Sequence, residues 1–197
     1  MEKLTKRVIE KLMALEGEAR GLHLTNDCQF ILRTKGENGL QRLEKRLKEL
    51  ECPIEYKKIS SLAFYPIGIR AVSLLVMQEV FEWKDENIRK ACAFGTSASL
   101  IVKLYMKFFY SISKLVDKVP NIWQEYFNKG ELEISEWNLK EKRAIIQLRD
   151  FSLHPIYCCC LEGYFAQFIK MLIKTSSVKC KEIKCMGNYH EFLLEWE

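Results

Sequence analysis

The sequence predicts an α+β fold: an antiparallel β-sheet with helices packed largely on one face, in the order helices, two strands, a helix, two strands. Three observations lead there. Residues 2–127 are dominated by apolar side chains at helical spacing. From residue 131 the period changes to two. The last forty-odd residues read as a helix over 154–174 and then a β-hairpin whose loop is Gly187-Asn188, a dipeptide in which both positions tolerate positive φ.

Taken in order, Leu4, Val8, Leu12 and Leu15 give residues 2–20 a helical period, and Gly21 is placed to end that helix. Residues 22–33 mix β-formers with Thr25-Asn26-Asp27 and read as a loop or a short strand. Leu40, Leu43, Leu47 and Leu50 restore the helical period over 38–50, and Cys52-Pro53 stops it. Residues 54–60 read as extended. Pro66 opens a nearly all-apolar helix to residue 83, at a first-turn position where its missing donor costs nothing. Asp85 caps one long helix over 86–110, small between Ala91 and Ser99 and bulky beyond Leu100. A further helix runs from 113 through Trp123 to Gly130. Strands follow at 131–138 and 142–151. In the final hairpin a two-residue loop sets Met186 opposite Tyr189, Cys185 opposite His190, Lys184 opposite Glu191 and Ile183 opposite Phe192.

Hydrophobic residues at 48% and charged residues at 29% of 197 are the composition of a globular protein, and one domain over 1–197 is expected. The net charge of +5 comes from 31 basic and 26 acidic residues with interleaved signs, which gives no stripe for nucleic acid. The N-terminus, Met1-Glu2-Lys3-Leu4, lacks the apolar core of a signal peptide. No window reaches the roughly 20 uninterrupted apolar residues of a membrane span. The nearest, 64–81, carries Arg70, Gln78 and Glu79 and reads as a buried core helix. A cytoplasmic setting follows, in which the eight cysteines are free thiols or metal ligands. The apolar stripe of the helix over 1–20 is the expected contact of a homodimer.

Five of the eight cysteines and two of the three histidines lie in the last forty-odd residues. Cys158 and Glu162, four apart on a helix, share a face. Cys185 and His190 are cross-strand neighbours about 5 Å apart. Together they make a Cys₂-His-Glu set of the coordination number zinc prefers. The competing reading is packing, because free cysteine behaves as a small hydrophobe and His190 alternates with Phe192, Leu194 and Trp196. Phe64, Phe94, Ala98, Tyr105, Phe109 and Trp123 are candidate lining for an apolar pocket, where small residues face large ones; an apolar stripe is also what plain core looks like. No phosphate loop or Gly-x-Gly-x-x-Gly occurs, and His154 sits at the edge of the helix that carries Cys158 to Cys160, so no enzyme is expected.

Cys158, Gly163-Tyr164, the amphipathic helix, Glu182-x-x-Cys185, a glycine turn and His190-x-Phe192 together resemble the vinyl-4-reductase-like domain. That resemblance implies a hydrocarbon-binding module of the kind found in phenol-responsive transcriptional activators and in accessory proteins of bacteriochlorophyll synthesis. It also implies kinship with subunits of the vesicle-tethering transport particle and with haem nitric-oxide sensors. The expectation is thus a non-enzymatic sensor enclosing a small apolar ligand and signalling to a separate output protein. A scaffold subunit and a component of tetrapyrrole metabolism are the alternatives. Haem is set aside at this point, because haem sensors need a helical histidine followed by Tyr-x-Ser-x-Arg, and no histidine lies between His23 and His154.

Overall fold

The computed structural model describes residues 4–108, 114, 116–151 and 154–197. Helix α1 (Lys6–Met13) is capped by the Thr5 hydroxyl, which accepts from Val8 N at 3.4 Å. It stops well short of residue 20. Gly17, at φ 108°, turns the chain into β1 (Glu18–Arg20), which pairs antiparallel with β2 (Phe64–Pro66). Ladder pairing with a distant segment overrides the local helical period there.

Helix α2 (Leu22–Glu49) replaces the expected loop or strand over 22–33 and absorbs the helix over 38–50. Gly36, at φ 67° and ψ −172°, kinks it where the two meet. Its buried face carries His23, Asn26 and Asp27 beside Leu24, Cys28 and Ile31, so the amphipathic pattern is written partly in polar residues. Residues 54–60 contain a 3₁₀ turn, Tyr56–Lys58, rather than a strand. Helix α3 (Ile67–Phe81) is buried on most sides, as its composition predicts, with Pro66 as its cap. A Cβ on Gly68 would lie 1.9 Å from the Leu12 carbonyl oxygen, so only glycine lets the end of α1 rest on α3.

The expected long helix over 86–110 is two: α4 (Asp85–Ala98) and α5 (Leu100–Phe108). Ser99 breaks it. Its hydroxyl bonds to the Tyr126 hydroxyl and accepts from Val102 N at 3.3 Å, which caps α5. Helix α6 (Val119–Gln124) follows, with Pro120 in its first turn. Then come β3 (Glu131–Asn138), β4 (Arg143–Arg149), α7 (Ile156–Ile173), β5 (Val178–Met186) and β6 (Tyr189–Trp196).

The four long strands form an antiparallel sheet in the order β3-β4-β6-β5. Leu132, Ala144, Ile146, Leu148, Phe192 and Leu194 are buried on it, and Phe165 of α7 meets Phe192 edge-on at 5.1 Å. Helices and antiparallel strands thus make the α+β fold that the periodicity predicts, with β1-β2 as an added small sheet. Helix α7 lies between α4 and the large sheet. By length and composition it is also apolar enough to cross a membrane, with half of it buried inside the fold. The membrane-like window is therefore this helix and not 64–81.

Candidate functional site

Polar groups interrupt the core among the described residues. The first sits among α2, α3 and α4. Arg70 lies in the first turn of the apolar helix α3 at 3% exposure, and a buried guanidinium requires partners. Its Nη1 donates to His23 Nδ1 at 2.6 Å, and its Nη2 donates to Asp27 Oδ1 at 3.4 Å and to Cys92 Sγ at 3.5 Å. Ser73 Oγ donates to Asp27 Oδ2 at 3.4 Å and accepts from the Tyr56 hydroxyl at 2.7 Å. Burial raises the Asp27 carboxyl against the pull of Arg70. Burial, and then the Arg70 charge, lower His23 well below its ordinary value, so its imidazole is neutral.

Neutrality and the donor at Nδ1 together assign the tautomer. Because Nδ1 accepts from Arg70, the ring proton sits on Nε2. Among the described residues that buried Nε2–H has no hydrogen-bond partner, and neither has Arg70 Nε. An orphaned buried donor costs about 1–3 kcal/mol, so each is a place where an acceptor would be favoured. The His23 ring is walled by Phe127 at 4.9 Å, Tyr126 at 5.3 Å and Tyr164 at 6.5 Å. Tyr164 also lines a small apolar cavity of about 20 Å³ with Val119, Ile122, Trp123, Leu132, Ile146, Phe165 and Phe168.

The second group joins α7 to the hairpin. The expected register holds at the turn: Met186 pairs with Tyr189, Cys185 with His190 and Lys184 with Glu191. A β-bulge between Glu182 and Lys184 then sets Glu182, not Ile183, opposite Phe192. The bulge turns the Glu182 carboxylate inward, 2.6 Å from His190 Nδ1, while His190 Nε2 donates to the Phe151 carbonyl at 2.9 Å. The Cys158 thiol also bonds to Glu182, and burial followed by the Glu182 charge pushes it far up, which removes its nucleophilicity.

The proposed ligand set is therefore divided. Cys158 and His190 come together, with their ligand atoms and that of Glu182 within 4.8 Å of one another. Glu162 is elsewhere: Arg89 Nε donates to it at 2.6 Å and the Glu182 amide at 2.9 Å, so it ties α4, α7 and β5. Cys185 is exposed on the edge strand. Three donors fall short of the four of structural zinc, and both His190 nitrogens are already engaged.

The pocket residues are likewise dispersed. Phe64 is 38% exposed beneath the Arg20 guanidinium, Phe94 packs on Phe30, and Ala98 and Tyr105 are half-buried. Phe109 lies outside the described residues. Trp123 is buried and lines the 20 Å³ cavity and a larger one of about 200 Å³ near Pro120 and Arg149. Sequence reasoning missed His23 and Asp27, and it quoted Tyr164 and Glu182 in the resemblance without giving them a place in the site. Arg70, a charge inside an apolar helix, was the signal for the first two.

No family model matches the chain, and no curated protein matches it. Solved structures do. An H-NOX protein from S. oneidensis in its Fe(II)NO ligation state aligns with a TM-score of 0.64 at 12% identity, covering 90% of this chain and 99% of that one. An unliganded Fe(II) H-NOX protein from K. algicida aligns at 0.63 and 12%, covering 90% and 96%. A third structure, in which protein-induced porphyrin distortion modulates haem redox potential, aligns at 0.60 and 9%, covering 90% and 99%.

The fold is thus that of these domains. The kinship expected with haem sensors is present at the level of fold, and these matches are not to a vinyl-4-reductase-like domain or a transport-particle subunit. The setting aside of haem is corrected by the same neighbours: the fold is one in which haem and Fe(II) are carried, so a missing motif does not remove haem from the question. Zinc gains nothing from these neighbours.

Proposed function

We propose that this chain is a small-molecule sensor domain whose ligand enters the layer between the helices and the sheet and accepts a hydrogen bond from His23 Nε2–H. The observation that supports it is that unpartnered buried donor beside an aromatic wall. The H-NOX-like fold is consistent with it. The cavity beside Tyr164 exceeds the roughly 10–15 Å³ that one water needs, but is far below the roughly 300–1,000 Å³ of a drug-sized site. A diatomic gas fits it as it stands; a ligand that also reaches His23, which does not line it, must displace Tyr164, and a larger one must part Tyr164 and Phe168 from Trp123 and Ile122.

Haem is tested here on the same nitrogen. Iron takes an imidazole lone pair, whereas Arg70 at Nδ1 leaves a proton on Nε2. As arranged, His23 does not fit an iron ligand, and haem binding at this ring requires Arg70 to release Nδ1. The finer reading, a hydrocarbon-binding module of the vinyl-4-reductase-like kind that acts by binding and not by turnover, places an apolar body against Trp123, Phe165 and Phe168 and one acceptor at His23.

The test is thermal unfolding with phenol, benzene and haemin in separate arms. Phenol raises Tm more than benzene in the wild type, and the two act equally in His23→Phe, which keeps a ring and removes the donor. Binding the folded state alone at a hundredfold over Kd adds about 2.7 kcal/mol. A Soret band that needs His23 identifies a haem sensor. No response to any of the three overturns the proposal.

A further inference from the structure

The large sheet ends at β5, which pairs with β6 and has no second neighbour among the described residues. In an antiparallel ladder the N–H and C=O of successive residues point alternately toward the partner strand and away from it. Glu182 sets the phase of that alternation. Its N–H turns away from β6 and donates to Glu162 Oε1 at 2.9 Å, while Glu162 Oε2 accepts from Arg89 Nε at 2.6 Å. The register from Val178 to Glu182 is unbroken, so the N–H and C=O of Cys180 and Val178 share that outward aim. Glu162 thus closes one end of the edge, and the stretch it leaves open meets a groove of about 540 Å³ between β5, α4 and α7. Residues 176–180 line this groove consecutively. Side chains of a strand alternate between its two faces, so an unbroken run of lining residues presents its main chain.

The charge left over at this edge is positive. The lining carboxylates Glu86 and Glu162 are already paired, with Lys90 and Arg89, each at 2.6 Å. Among the described residues the Arg89 Nη nitrogens donate to nothing, and Lys170, also in the lining, has no carboxylate within ion-pair reach. Exposed Lys179 and Lys181 alternate with Val178 and Cys180 along the strand. Such lysines repel a second copy of β5 and favour an acidic neighbour. We propose that an extended acidic segment of a partner protein adds to this edge as a fifth strand. Its main chain pairs with Val178 and Cys180, and its carboxylates meet Arg89 and Lys170 on the helix side and Lys179 on the other. The Glu162 carboxylate on the Glu182 amide is the fold's own instance of that contact. Ala93, Gly163 and Ala166 keep the groove floor low enough for the partner's inward side chains. Strand addition draws affinity from main-chain bonds and specificity from the side chains at alternate positions. The groove shares no lining residue with the cavity beside Tyr164, so the proposal does not rest on the buried-ligand reading.

The test titrates the full chain into a fluorescein-labelled, capped peptide of alternating glutamate and valine and reads anisotropy, with amide hydrogen exchange followed by mass spectrometry. Saturable binding tighter than about 1 mM is expected, with slowed exchange over 176–180. N-methylating the peptide's main chain removes its donors and abolishes binding, and so does replacing its glutamates by lysines. Lys170→Gln/Lys179→Gln weakens binding at least about tenfold. Lys45→Gln/Lys48→Gln takes the same charge from α2 and leaves affinity within about twofold. All four lysines are exposed, so the fold tolerates both variants. The proposal is overturned if the methylated peptide binds as well as the unmodified one, if the two double variants lose affinity equally, or if the wild type binds no tighter than about 1 mM. Self-association of the free chain in sedimentation, lost in Lys170→Gln/Lys179→Gln, also overturns it by making a second copy the occupant.

Discussion

Gly163→Ala tests whether the α4–α7 contact organises the core. An added Cβ would sit 2.2 Å from the Arg89 carbonyl oxygen, 2.7 Å from its Cα and 2.8 Å from its carbonyl carbon. Ordinary contact begins at 3.4 Å, so one helix must move by about 1.2 Å, and the obstacle is backbone that cannot rotate aside. The shift also strains the Arg89–Glu162 pair and the bond from Glu162 to the Glu182 amide, which depend on the same approach. Overpacking costs about 1–3 kcal/mol where side chains can yield, and with backbone as the obstacle the upper end, about 3 kcal/mol, is expected. Urea unfolding followed by circular dichroism reads this directly. At an m-value of about 1–3 kcal/mol/M, the midpoint falls by about 1–3 M with m unchanged. Gly187→Ala is the control, since Gly187 has φ 65° and nothing within 4 Å of an added Cβ, so only backbone strain of about 1 kcal/mol is incurred. If Gly163→Ala lies within about 0.5 kcal/mol of wild type, the helices are not held at this spacing and the reasoning fails.

Three further outcomes are expected. His23 is neutral and depressed when folded but titrates near 6.5 when unfolded, so the unfolded chain binds the extra proton and stability falls as pH drops below about 6.5. The loss is up to about 1.4 kcal/mol per pH unit relative to His23→Phe, with the opposite-signed contribution of raised Asp27 present in both proteins, and denaturant midpoints at pH 7.5, 6.5 and 5.5 check it. His190→Phe removes the donor to the Phe151 carbonyl and leaves the Glu182 carboxylate to the Cys158 thiol, at a cost of about 1–3 kcal/mol, whereas Cys185→Ser, exposed on the edge strand, stays within about 0.5 kcal/mol. Arg70→Met takes the guanidinium from buried Asp27, leaving it the Ser73 hydroxyl, and frees His23 Nδ1; it costs about 3–5 kcal/mol of stability by thermal or urea unfolding.

What was legible in the sequence follows from where the information is local. The final hairpin was readable through Lys184 because turn chemistry and alternation are local rules, and the register they imply is the one observed. It failed one residue later, at the bulge, whose outcome depends on Glu182 reaching His190 across the strand pair. For the same reason the helical i, i+4 rule selected Glu162 as the acidic partner of Cys158, when Arg89 on α4 had already claimed it. The break at Ser99 depends on Tyr126, far along the chain, and β1 depends on β2 in the same way.

The least legible element, the first half of α2, is also the one that holds the proposed ligand group, and the two facts share one cause. A helix advertises itself by apolar residues at its buried positions. When His23, Asn26 and Asp27 take those positions, the helix is hidden, and the interior receives polar groups that must be satisfied within the fold. Arg70 satisfies most of them and leaves His23 Nε2–H without a partner among the described residues. Local propensity and burial disagree there, and such disagreements concentrate at sites kept for something other than stability. Replacing His23, Asp27 and Arg70 together by apolar residues of similar size therefore separates the two roles: if the cluster is kept for a ligand, stability holds or rises while the phenol-specific shift is lost. A triple variant that retains the shift would return the cluster to packing alone.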